Sequence, residues 1–287
     1  GALQANTTGD DNVAVGQAAL AFATTADNNT ALGRFSLFCN TTASNNTAIG
    51  NSALCANTTG AENVAVGATA LLDNTTGGNN VAIGLEALQN NTTASGNVAI
   101  GRDSSGANTT GACNISVGHL SLRANTTGSD NTGVGTCALN ANTTAGDNTA
   151  MGSDAMKLNT TGSRNTAVGR NALEANTTGG NNTAMGTNSL LLNTTGGSNT
   201  AFGADSLDSN TTANYNTAIG AEALKTQTTG ISNVAVGYYS LVASTTGACN
   251  NALGVQAGDS ITTGVCNTLI GSFTGNDLTT GSCNTFI

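Results

Sequence analysis

The chain has 287 residues with no proline or tryptophan, 3 % aromatic and 8 % charged residues, and a net charge of −9 from 16 acidic and 7 basic side chains. So few bulky side chains cannot fill an ordinary globular core at close-packed density. The low charge and missing proline argue against disorder, and the acidic balance argues against a nucleic-acid partner, which needs a basic stripe.

In chain order, glycine recurs at Gly16, Gly33, Gly50, Gly67, Gly84 and Gly101 and onward to Gly271, one every 17 residues without insertion or deletion. The same step carries Asn12 to Asn284 and the pair Thr7 and Thr8 to Thr279 and Thr280. Positions within the repeat are called registers here, so that Asn12 stands in register 12 and Gly16 in register 16. A strict period makes each copy one coil of a stack, and 17 residues are too few for a helical hairpin repeat. Asn12-Val13-Ala14-Val15-Gly16 and its equivalents, rich in β-branched residues and bounded by Asn and Gly, predict one short strand per coil. The expected fold is all-β: a parallel β-solenoid, or β-roll, of about seventeen 17-residue coils. It is read as a single continuous array over residues 1–287, about 80 Å long at roughly 4.8 Å per coil. Gly1 and Ile287 both fall in mid-repeat, which reads as a window from a longer fibre protein. No apolar run nears the roughly 18 residues that span a bilayer, and no signal peptide stands at residue 1, so no membrane insertion is expected in this window.

All 23 charged residues fall in registers 4, 5, 10, 11, 17 or 1, among them Asp10, Asp11, Arg34, Asp73, Glu86, Arg123, Lys157, Asp205 and Lys225. That pattern predicts three solvated corners separated by three buried stretches. Register 3 is Leu in thirteen copies, with Met156 as a substitute, and register 2 is Ala, Ser or Thr. Register 15 is always a large aliphatic residue, Met or Phe, beside a small residue, mostly Ala, in register 14. Neighbours on a strand point to opposite faces, so register 15 is expected to fill one side while register 14 permits close approach on the other. Neither face carries a charge, and a strand dry on both faces needs cover on both. The expected cover is another copy of the chain in a homotrimer or filament; the alternative is a monomer with a weakly polar Thr/Ala face open to water.

Asn12, Asn29, Asn46, Asn63 and Asn80 are expected at a corner, where Asn tolerates left-handed backbone, and as a coil-to-coil amide ladder. Of each Thr pair, one hydroxyl is expected to face in to backbone groups and the other out. Asn-Thr-Thr also spells an N-glycosylation acceptor at Asn6, Asn40, Asn57, Asn74, Asn91, Asn108, Asn125, Asn142, Asn159, Asn176, Asn193 and Asn210. Both Thr persist where that Asn is replaced, by Ala23, Gln227, Ser244, Ile261 or Leu278, which weakens the sequon reading. Cys249, Cys266 and Cys283 share register 11 on consecutive coils, close enough for one disulfide. Carboxylates stack as Glu86 over Asp103 and Asp205 over Glu222, while Asp208 over Lys225 places opposite charges together. His119 lies at an exposed corner without a partner nucleophile, so no catalytic, cofactor or metal site is expected.

The unit N-T-T-G-x-x-N-T-A-V-G-x-x-A-L at Asn159 to Leu173 resembles the repeats of phage tail-fibre-type proteins and related bacterial surface proteins. The N-T-A-I-G strands at Asn46 to Gly50 and Asn216 to Gly220 also resemble the head of trimeric autotransporter adhesins, a left-handed parallel β-roll. Here the repeat is longer and more regular than in the adhesins, with no visible coiled-coil stalk or anchor. The resemblance implies a trimeric shaft, extracellular, at a cell surface or on a virion, that spaces or presents a binding tip. Receptors or cell-surface glycans would be met outside this window. The alternatives are an N-glycosylated filament with the Asn-Thr-Thr column as glycan scaffold and, further off, an ice-binding solenoid, which needs two Thr columns on one face. A carbohydrate-active enzyme would need long loops that this chain lacks. From about residue 244 the coils drift: Gly258 and Gly275 replace Leu in register 3, and Leu269 and Phe286 replace Ala in register 14.

Overall fold

The computed structural model describes residues 1–287 and is all-β, a parallel β-solenoid of about sixteen turns with the 17-residue repeat. It divides into two compact units, Gly1–Gly146 and Asp147–Ile287. The first holds eight strands, from β1 (Val13–Val15) and β2 (Thr30–Leu32) to β8 (Thr132–Val134). The second holds nine, from β9 (Thr149–Met151) and β10 (Thr166–Val168) to β17 (Thr285–Phe286). Each strand but the two-residue β17 spans registers 13 to 15, and strands pair in parallel with their equivalents one repeat on, as Val13↔Thr30, Ala14↔Ala31 and Val15↔Leu32 in the first unit, and Thr149↔Thr166 in the second.

Only one wall of the coil is sheet. The remaining registers are turns, not further strands, and they stack by backbone hydrogen bonds of the same coil-to-coil kind. Leu20 N–H donates to Ser36 O at 3.0 Å, Thr24 N–H to Thr41 O at 2.9 Å, and Gly33 N–H back to Val15 O at 2.8 Å. This satisfies backbone that a turn would otherwise leave to water. The chain reverses within so few residues by entering the left-handed region at registers 1, 3 and 11, as at Ala18 (φ 56), Leu20 (φ 51) and Asn28 (φ 56). The left-handed corner is therefore one residue before the recurrent Asn, not at it. A left-handed Leu costs roughly 1–2 kcal/mol, which its complete burial offsets. Register 16 demands glycine outright: Gly84 has φ +137, and a Cβ there would stand 2.5 Å from Gly101 O.

Buried residues fall almost wholly in registers 2, 3, 6, 9, 12 and 14, all outside the charged registers. Leu37, Leu54, Leu71 and Leu88 of register 3 are fully buried, and so are Ala48, Ala65, Ala82 and Ala99 of register 14. The small residue of the strand therefore points inward and the bulky residue of register 15 outward. Leu reaches across from register 3 and occupies the room that a larger side chain at register 14 would need. One coil breaks the Leu column with Ser105, whose Oγ meets Ser116 Oγ at 2.8 Å in the interior, and Ser104 Oγ reaches the same hydroxyl at 2.8 Å. The drift after residue 244 does not end the fold, because the parallel pairing continues as Ala235↔Ala252, Ala252↔Leu269 and Leu269↔Phe286.

Candidate interaction surface

Two amide ladders hold the interior, one more than the sequence reading assigned. In register 12, Asn80 donates from its backbone N–H and its Nδ2 to Asn63 Oδ1 at 3.0 and 3.1 Å, and its Nδ2 also reaches Ala94 O at 2.9 Å. Asn29, Asn46 and Asn63 repeat the backbone contact to the preceding amide, and all are buried; Asn12, in the outermost coil, is half-buried.

The second ladder is made of the sequon residues. Asn57 Nδ2 donates to Asn40 Oδ1 at 3.0 Å and to Gly60 O at 2.8 Å, and Asn74 Nδ2 to Asn57 Oδ1 and Gly77 O at 2.8 and 2.9 Å. Asn40, Asn57, Asn74, Asn91, Asn108, Asn125, Asn142, Asn159, Asn176, Asn193 and Asn210 are at most 1 % exposed, and Asn6, in the outermost coil, is the exposed one. A glycan is attached through Nδ2, the atom engaged here inside the coil. The glycan-scaffold alternative is thereby incompatible with this fold at the eleven buried positions. What hid this is that a turn Asn reads the same in sequence whether its amide faces water or the core. The ladder stops where Gln227, Ser244 and Ile261 follow Asn210. Asn210 Oδ1, Gln227 Oε1 and Ser244 Oγ are left buried without a hydrogen-bond partner.

The Thr pair divides much as expected. The first hydroxyl spans to the next coil, as Thr75 Oγ1 to Thr92 O at 3.0 Å, from a half-buried side chain, and the second Thr is exposed in every coil, as at Thr25, Thr42 and Thr76.

The outer face of the sheet is the molecule's exceptional surface. Registers 13 and 15 point outward together. In the first unit Val15, Leu32 and Ile83 are 55, 45 and 38 % exposed; in the second, Met151, Phe202 and Leu253 are 46, 51 and 51 % exposed. Beside them run Thr or Val in most coils, with Ile115 and Asn251 as variants. Neither register holds a charge in any copy. At about 4.8 Å per coil and a strip about 10 Å wide, the eight coils of the first unit present roughly 400 Å². That is the size of the largest apolar patch on an ordinary monomer, and such a patch often serves a contact.

Charges gather on the turns, where opposite signs pair. Arg123 meets Asp103, and Lys225 Nζ lies 2.9 Å from Glu222 and 3.9 Å from Asp205, so the stacked carboxylates Asp205 and Glu222 share a cation. Asp208, expected to stack on Lys225, has its carboxyl pKa raised by burial and by Asp205, an effect that Lys225 opposes. Surface pairs of this kind add little stability. A shallow cavity of about 370 Å³ opens over the Ser105 coil, lined by Glu86, Gln89, Asn90, Asp103, Gly106 and Arg123. Cys249, Cys266 and Cys283 are exposed free thiols, one per coil, and His119 is exposed. No helix is long and apolar enough to cross a membrane.

No family model matches the chain, and no curated protein or solved structure is significantly similar to it. The class that can be stated is the parallel β-solenoid with an internal amide core and an apolar outer sheet face.

Proposed function

We propose that the chain is a structural shaft, a segment of an extracellular or virion fibre that spaces or presents a binding tip, assembled as a homotrimer through the apolar outer face of its sheet. The observation that carries this reading is the uncharged pair of outward columns at registers 13 and 15, kept through every copy. A second copy is the occupant this face fits. Its side chains repeat every coil, and a partner must repeat with the same rise, about 4.8 Å, to stay in step along the whole face. A strip of roughly 400 Å² in one unit is about half of the roughly 800 Å² per partner typical of a stable interface, and the second unit carries uncharged columns at the same two registers. The unbroken period and the absence of long insertions suit a spacer. The trimer, as opposed to a dimer, follows from the resemblance to adhesin heads and fibre repeats.

Light scattering on the purified chain tests this. The expected mass is three times 28.0 kDa, unchanged by deglycosylation. Replacing Ile83, Ile100 and Ile219 by Lys on the outer column is expected to reduce the mass to 28.0 kDa while the circular dichroism of the fold persists. A wild-type monomer would overturn the self-association reading.

A further inference from the structure

Cys39 and Cys55, in registers 5 and 4, lie on consecutive coils of the first unit, and the Cys39 N–H donates to Cys55 O at 2.9 Å. Stacked coils stand about 4.8 Å apart, and a backbone hydrogen bond between the two residues keeps their Cα atoms inside the roughly 4.4–6.8 Å that a disulfide tolerates. One coil earlier the same two registers hold Phe22 and Phe38. There the Phe22 N–H donates to Phe38 O at 3.3 Å, and the ring centroids are 4.8 Å apart. Side chains at these two registers therefore converge between coils. An in-register column such as Cys249, Cys266 and Cys283 instead keeps its Cβ atoms near the coil rise of about 4.8 Å, past the roughly 4.5 Å upper end for a disulfide. Both Cys39 and Cys55 are half-buried free thiols. Burial raises the Cys55 thiol pKa first, and the neighbouring Cys39 and then Asp73 raise it further, so the two sulfurs sense each other's charge.

We propose that Cys39 and Cys55 form a covalent staple between consecutive coils, closed by exchange with a low-molecular-weight disulfide such as oxidised glutathione. The Cys39 thiolate attacks one glutathione sulfur, forming a mixed disulfide and expelling one glutathione thiolate. Cys55 then gives up its proton and attacks Cys39 Sγ, expelling the second glutathione. The two protein thiols lose two protons and two electrons, and the glutathione disulfide is reduced to two thiols. Because Cys55 holds its proton above the ordinary thiol range, closure quickens as pH rises. A solenoid opens by separating neighbouring coils, and the staple blocks that step at this place.

The test uses the folded full-length chain, incubated to equilibrium with excess oxidised glutathione, alkylated with iodoacetamide and digested with trypsin. No Lys or Arg lies between Arg34 and Arg102, so both cysteines fall in the single tryptic peptide Phe35 to Arg102, which contains no other cysteine. The expected peptide is lighter than the reduced one by two hydrogens and carries neither alkyl group nor glutathione. Cys39→Ser is expected to leave Cys55 carrying glutathione or the alkyl label. A wild-type peptide bearing two labels or two glutathiones would overturn the proposal. As a second readout, the oxidised wild type is expected to melt higher than the reduced, with no such difference in the Cys39→Ser/Cys55→Ser variant.

Discussion

Between Leu71 and Ala99 the interior is filled from register 3. Leu71 and Leu88 are fully buried, and the strand opposite them offers only Ala82 and Ala99. Between Gly258 and Gly275 the same space is filled from the other side: register 3 has become Gly, and Leu269 of register 14 is fully buried in its place. A Cβ on Gly258 would stand 2.5 Å from Leu269 Cδ1, and one on Gly275 would stand 2.6 Å from Leu269 Cδ2. The backbone barely registers the change. Gly258 N–H donates to Thr274 O at 2.8 Å, the bond that Leu20 makes to Ser36 O at 3.0 Å, and the strands continue their parallel register. The interior volume of a coil is thus a constraint on a sum, and which wall supplies the Leu is free. The final coils are a compensated exchange and not a loss of the core.

The largest expected effect comes from breaking that compensation. Leu88→Ala in the first unit and Leu269→Ala in the second are each expected to cost about 2–5 kcal/mol in denaturant unfolding, since each empties a fully buried site. Gly258→Leu alone overpacks against Leu269 and is expected to cost about 1–3 kcal/mol or more. Combined with Leu269→Ala it restores the arrangement seen around Leu88. The double variant is expected to be more stable than either single one, leaving a coupling energy of roughly 1–3 kcal/mol. Additive costs in that cycle would show that the two registers do not share one volume.

A smaller effect is expected where the register 6 ladder fails. Asn193 Nδ2 still reaches Asn176 Oδ1 at 2.8 Å, and Asn210 Nδ2 reaches Asn193 Oδ1 at 2.7 Å. Then Gln227 turns its Nε2 to Gly247 O at 3.3 Å, and the buried Asn210 Oδ1 is orphaned. Gln227→Asn supplies the shorter amide that fits every earlier rung. It is expected to raise unfolding stability by about 1–2 kcal/mol, near the cost of one buried unsatisfied acceptor. A neutral or negative change would mean that the coil has already relaxed around the longer side chain.

Period, fold class, charged corners and the Leu column were all legible in the sequence, because repetition turns single residues into columns and a column's chemistry is hard to mistake. Three things were not. A strand of three residues gives hydrophobic alternation too little length to say which parity faces in, and bulk pointed the wrong way: Ala14 and its equivalents line the interior because Leu of register 3 already fills it. The inward turn of Asn57 and the other sequon residues leaves no periodic signature that separates it from an exposed turn. Likewise, Cys39 and Cys55 occupy different registers, so a search for columns passes over them, and their meeting depends on the oblique step between registers 5 and 4 of adjacent coils.

The smallest expected effect lies on the turns, where the two units also differ in their side chains. Phe22, Phe35 and Phe38 pack edge to face in the first unit, Phe22 against Phe38 and Phe35 against Phe38 at 4.8 and 5.3 Å between centroids. In the second unit Tyr238 and Tyr239 lie 4.2 Å apart, and Tyr239 Oη donates to Glu222 Oε1 at 3.0 Å. The hydrogen bond with Tyr238 and then that with Glu222 push the Tyr239 pKa up to about 12 from the ordinary 10.0. In the unfolded chain the phenol ionises near 10, so between about pH 10 and pH 12 the unfolded state loses a proton that the folded state keeps. The contribution of Tyr239 is therefore full below about pH 10 and is lost as pH rises toward about 12. Denaturant midpoints measured at about pH 9 and about pH 11 are expected to fall more in the wild type than in Tyr239→Phe. Ultraviolet difference absorption should show a tyrosine ionisation toward about pH 12 that vanishes in the Tyr239→Phe variant. Equal pH sensitivity in both proteins would place the alkaline loss elsewhere on the chain and leave the Tyr239–Glu222 bond without weight in stability.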